Sequence, residues 1–168
     1  MKTNIAGLMS LIKNLEDYLN KLSIEISLHS TNKTIIELDG KENVVEDFKE
    51  DFDNEFFEYQ KLIARISYLK TILYEKNNEF KLTDGRCIQQ AIVDNTNLRK
   101  LKSLYDVLLE KRNTKIRVTE VNNSYFESTT LNYDIKKIKE ESKKIEDKIM
   151  QTDFEISKLN SIEFEIKE

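Results

Sequence analysis

Along most of this chain the large apolar residues recur at alternating steps of three and four, a rhythm that admits little besides helices. Ile5, Leu8, Ile12, Leu15, Leu19, Leu22 and Ile26 keep it without a break, so residues 4–27 read as a helix with a coiled-coil seam. Met9, Leu11 and Ile24 fall beside that seam and widen the apolar face, which suits a bundle or an oligomer better than a two-stranded rod. Val45, Phe48, Phe52, Phe56, Tyr59, Ile63, Ile66, Leu69 and Leu73 repeat the spacing and predict a second helix over 44–79. Ile88, Ala91, Leu98, Leu101, Tyr105 and Leu108 predict a third over 84–112, with Asn95 in its one polar slot. Ile135, Ile138, Ser142, Ile145 and Ile149 predict a fourth over 133–158. Proline is absent and glycine occurs three times in 168 residues, so backbone breakers are almost missing. The expected class is all-α: one domain spanning 1–168, built as an antiparallel long-helix bundle or coiled coil of about four helices.

The joints between these helices differ in kind. Lys81-Leu82-Thr83-Asp84-Gly85 is a tight turn between the second and third helices. Gly85 suits a positive φ, and Thr83 or Asp84 is the expected N-cap. Between Leu28 and Asn43 the run His29-Ser30-Thr31-Asn32-Lys33-Thr34 predicts a loop. Ile35, Ile36 and Leu38 are too few to predict a strand there. Past the third helix the period changes to two, with Ile116, Val118 and Val121 before Asn122-Asn123 and the run Tyr125 to Leu131 after it. A small β-hairpin turning at Asn122-Asn123 is expected over 114–131, with an extended loop as the alternative. At the end Ile162, Phe164 and Ile166 alternate with acids, a tail that either adds as an edge to a neighbour or frays.

The residue inventory removes most chemistry. His29 is the single histidine and Cys87 the single cysteine, which excludes a two-histidine metal site, a cysteine metal site and an intrachain disulfide. In its polar loop His29 is expected to be solvated, and Cys87, in the first turn of the third helix, to be a passive small residue. Glycines at 7, 40 and 85 build no phosphate-cradling loop, which argues against nucleotide hydrolysis. Residues 41–58 hold eight acids and two bases, and the preferred reading is a solvated acidic helix face. A cation site from Asp47, Asp51 and Glu55, at i, i+4 and i+8, is the sharper alternative. The net charge of −4 argues against nucleic acid. Arg99, Lys100, Lys102, Lys111, Arg112, Lys115 and Arg117 give the region after the third helix's midpoint a basic bias. That bias could meet the acidic segment on the same molecule or on another copy. The start of the chain shows no small-residue cleavage pattern, and no apolar run approaches the ~20 residues of a membrane span; a cytoplasmic location is expected.

Lys76-Asn77-Asn78, Leu82-Thr83-Asp84-Gly85-Arg86, Ala91, the stretch from Asp94 to Leu98, the extended region from Glu120 to Leu131 and the last helix follow in an order that resembles the septicolysin-like bacterial proteins. The likeness covers roughly residues 60–158. Of that family's Ile-Gln-x-x-Asn-Trp signature, Ile149 agrees and Phe154 keeps the aromatic, whereas Met150 and Asp153 depart. The resemblance implies cytosolic, all-helical proteins of unassigned activity, named after a proposed pore-forming toxin, and it carries no catalytic residue. The function expected from all of this is non-enzymatic self-association into a homo-oligomeric ring or tube, with the chain itself as partner and no cofactor, metal, nucleic acid or small molecule. Its candidate assembly surface is Ile116, Val118, Val121, Tyr125, Phe126, Ile162, Phe164 and Ile166. The alternative is a membrane-active pore former, for which lipid would be the partner.

Overall fold

The computed structural model describes residues 1–121 and 123–167. The chain runs β1 (Lys2–Thr3), α1 (Ile5–Leu28), β2 (Lys33–Ile36), β3 (Glu42–Glu46), α2 (Lys49–Glu79), α3 (Ile88–Glu110), β4 (Thr114–Thr119), β5 (Ser124–Thr129), α4 (Ile135–Asn160) and β6 (Phe164–Glu165). It is mostly helical, as the apolar rhythm predicts, but among the described residues three two-stranded antiparallel sheets accompany the four helices. The residues group into two compact units, one formed by Met1–Glu79 with the segment from Asn160 on, the other by Phe80–Leu159.

In the first unit α1 packs along α2. Leu8 and Ile12 meet Ile66 and Leu69, with Leu11, Leu15, Leu19, Ile72 and Leu73 half-buried around them. The α1 seam is the one its heptads predict, opened by Asn4, whose side chain accepts from the Gly7 backbone N–H at 2.7 Å. The α2 face departs from prediction. Phe56 and Ile63 are exposed, while Glu55 and Leu62 take the inward slots between Phe52, Tyr59 and Ile66. The predicted start at residue 44 is also overturned, because Glu42–Glu46 is strand and the helix opens at Lys49, whose backbone N–H is accepted by Asp47 at 3.1 Å.

The segment predicted as a loop is therefore a β-hairpin. Thr34 pairs with Val44, Ile35 with Asn43 and Ile36 with Glu42, and a bulge beside Lys33 leaves Val45 without a cross-strand partner. Gly40, at φ 84°, closes its turn. The tail does not fray: β6 pairs with β1, Ile166 is buried in the α1–α2 core, and the Met1 ammonium donates to the Ile166 carbonyl at 2.8 Å.

The second unit is built in the same order, helix, hairpin, helix. Ile88, Ala91 and Asn95 are the buried positions of α3, and Ser142 and Thr152 those of α4. This seam is polar where the first unit's is apolar. Asn95 donates to Asp153 at 2.9 Å and to the Ile149 carbonyl at 3.3 Å, and Arg99 holds the same carboxylate at 2.7 Å. Tyr133 donates to the Leu108 carbonyl at 2.6 Å, beside the hairpin. The predicted hairpin is present as β4 and β5, in register from Thr114–Thr129 to Thr119–Ser124. Its turn is closed by the Glu120 N–H donating to Asn123 at 2.8 Å; Asn122, the other predicted turn residue, lies outside the described residues.

Candidate assembly surface

A two-stranded ribbon has two open edges and two faces, and it is marginal alone in water unless something covers it. In the β4–β5 ribbon, strand alternation puts Ile116, Val118, Tyr125 and Glu127 on one face and Lys115, Arg117 and Phe126 on the other. Ile116 and Phe126 are about 60 % exposed, and Val121 at the tip is fully exposed. Only Val118 is half-buried. Lys115 lies over the Phe126 ring at 4.8 Å, an arrangement that keeps this face cationic and aromatic at once. Ile116, Val121, Tyr125 and Phe126, among the residues expected to form an assembly surface, are thus exposed.

The tail residues sit elsewhere. Ile166 is buried and Phe164 half-buried within the first unit, packed against the α1–α2 core, so both are occupied by their own chain; Ile162 is exposed. Alternation along an acidic tail could not reveal that its neighbour would be β1, because two residues of strand at the chain start carry no periodic signal.

The β2–β3 ribbon was invisible to periodicity and is the more exposed of the two. Every residue of both strands is exposed, Ile36 and Val44 share one face, and Leu38 at the tip is fully exposed. Each ribbon is clasped at its base in one manner. Asn32, just before β2, accepts from the Phe48 N–H at 2.9 Å, and Asn113, just before β4, accepts from the Leu131 N–H at 2.7 Å. Asp47 then caps α2, and Asp134 caps α4 by accepting from the Lys136 N–H at 2.8 Å. The two units thus share a helix, Asn clasp, ribbon, Asp cap, helix plan.

A further apolar stripe lies on α3. Val93, Leu101, Leu104 and Val107 are exposed on the side away from Ile88, Ala91 and Asn95. The predicted face included Leu101; the inward slot goes to Lys102, which pairs with Asp106 at 2.6 Å.

The turn residues have roles other than those predicted. The α3 N-cap is Cys87, whose Sγ accepts from the Gln90 N–H, since α3 opens at Ile88 rather than 84. Thr83 instead donates through its backbone N–H and its hydroxyl to Glu155 of α4, at 2.9 and 2.8 Å, and these bonds hold that carboxyl's pKa below its ordinary 4.5. Asp84 is likewise lowered, by the Arg86 guanidinium and backbone N–H, and Arg86 also reaches Asp94 at 2.7 Å. Gly85 takes φ 87°, as the turn requires.

The residues weighed for chemistry are accounted for structurally. His29, expected to be solvated, stacks on Phe48 at 4.8 Å and places Nδ1 2.9 Å from Glu55. The helical spacing of Asp47, Asp51 and Glu55 fails, because Asp47 precedes α2 and Glu55 is engaged by His29. Among the described residues, no group of three His, Cys, Asp or Glu side chains converges on a metal position. A hollow of 440 Å³, open to solvent, is lined by Asp47, Lys49, Glu50, Asp53 and Asn54, without the apolar walls of a small-molecule site.

No known family profile matches the chain, and no curated protein does. A solved structure does: the crystal structure of a functionally unknown conserved protein from Corynebacterium diphtheriae, with a TM-score of 0.60 at 15 % identity, over 98 % of this chain and 100 % of that one. The likeness is one of fold.

Proposed function

We propose that this protein is a non-enzymatic, self-associating chain that builds a homo-oligomeric ring or tube. The observation that carries the reading is the β4–β5 ribbon, whose Ile116, Val121, Tyr125 and Phe126 are exposed while, among the described residues, no third strand pairs with either edge. Exposed apolar groups on an open-edged ribbon cost solubility, and a soluble chain keeps them where a partner covers them. The α3 stripe in the same unit supports this reading. Sedimentation velocity across micromolar concentrations tests it. The expected outcome is mass that grows with concentration, and growth that Ile116→Asn with Phe126→Ser reduces; a strict monomer throughout overturns it.

The likeness to septicolysin-like proteins keeps a membrane-active reading as the second proposal. No helix among the described residues is long and apolar enough to cross a membrane, so its form would be helices lying on lipid. Dye release from anionic and neutral vesicles separates the two readings: leakage favours the second, and intact vesicles beside a growing mass favour the first.

A further inference from the structure

The two ribbons follow one plan, and one strand of each carries charge of a single sign. Residues 33–47 hold Glu37, Asp39, Glu42, Glu46 and Asp47 against Lys33 and Lys41, a surplus of three negative charges, and β3 carries Glu42 and Glu46 with no base. Residues 114–129 hold Lys115 and Arg117 against Glu120 and Glu127 and are neutral as a whole, but both bases stand on β4, which carries no acid. Both ribbons are solvent-exposed, each of their strands pairs, among the described residues, only with its hairpin partner, and each tip ends in a fully exposed apolar residue, Leu38 or Val121. Backbone N–H and C=O groups along the outer edges are therefore open to another strand. Two β3 edges would repel, as would two β4 edges, whereas a β3 edge and a β4 edge attract.

We infer that the acidic β3 edge of the β2–β3 ribbon of one copy docks on the basic β4 edge of the β4–β5 ribbon of a second copy of this chain. The contact joins two different surfaces, so each copy keeps one ribbon of each kind to offer onward. Such a heterologous contact closes into a ring or propagates as a filament. The inference rests on the self-association reading and adds the surfaces and their polarity to it. Backbone pairing supplies the bonding, Ile36 and Val44 against Ile116 and Tyr125 supply apolar cover, and the charges select the partner.

Charge exchange tests it. In Glu42→Lys/Glu46→Lys both edge strands, β3 and β4, are basic; in Lys115→Glu/Arg117→Glu both are acidic. All four side chains are exposed, and circular dichroism should match the wild type. By sedimentation velocity at low salt, each variant alone should associate about tenfold more weakly or worse than wild type. An equimolar mixture of the two should recover wild-type mass, because the native-sign edges pair at one junction and the exchanged-sign edges, now basic β3 and acidic β4, pair at the next, and a misfolded chain could not do so. Variants that associate like wild type, or a mixture that stays dissociated, overturn the ribbon contact while leaving self-association standing. A wild type that is monomeric overturns both.

Discussion

Asn32 and Asn113 do the same work in the two units, holding the exit of a ribbon to its entrance through one side-chain oxygen. An exposed hydrogen bond of this kind contributes about 1 kcal/mol. Asn113→Ala should therefore leave global stability nearly unchanged but speed amide exchange at Leu131 and along β4–β5 by roughly fivefold, read by hydrogen–deuterium exchange. Glu155 offers a second test at this scale. Its folded pKa is depressed by Thr83, so its contribution is present above the unfolded value near 4.5 and is lost as pH falls through the folded one. Asp84, depressed by Arg86, loses its contribution in the same direction. Thermal melting from neutral to acid pH should show a fall in Tm that is shallower in Glu155→Gln, whose side chain does not titrate; an unchanged slope would remove Thr83 as the cause.

One of the two shortest elements of the first unit reaches its core. β6 adds two residues to β1, yet it delivers Ile166 to the Leu8, Ile12, Ile66 and Leu69 cluster. Ile166→Ala leaves a cavity there and should cost about 2–4 kcal/mol in urea unfolding, whereas Ile162→Ala, at an exposed position, should cost little. The same contrast explains what the sequence could disclose. Long helices were legible because Ile5 to Ile26 repeats a signal many times over, and the β4–β5 hairpin was legible through its alternation. The β2–β3 ribbon was not, because Ile35, Ile36 and Leu38 stand among polar residues on two exposed faces, where burial imposes no pattern. Val45 and Phe48 then continued the helical spacing of α2 backward by chance, hiding the second strand. His29 and Glu55 were missed for a related reason: a polar pair filling an inward slot has no hydropathy. The exposure of Ile116, Tyr125 and Phe126 has no sequence signal of its own, since strand alternation reads the same whether a face is covered or open.

At the scale of the whole molecule, a chain that docks its acidic β3 edge on the basic β4 edge of the next copy has a direction, and direction governs how its assembly fails. Glu42→Lys/Glu46→Lys keeps a working β4–β5 ribbon and loses a working β2–β3 ribbon. Added to wild type it should dock at one end of a growing assembly and stop it there. A stopper acts on chain length rather than on the number of contacts, so a mole fraction of about one-tenth should cut the mean assembly to roughly ten copies or fewer, far more than one-tenth of the mass. Lys115→Glu/Arg117→Glu should stop the opposite end with the same efficiency. An isologous dimer made through the α3 stripe behaves otherwise, because it would incorporate either variant as readily as wild type and keep its mass. Static light scattering of wild type titrated with each variant separates the two geometries: a steep early drop identifies head-to-tail ribbon contacts, and a flat line assigns the assembly to α3.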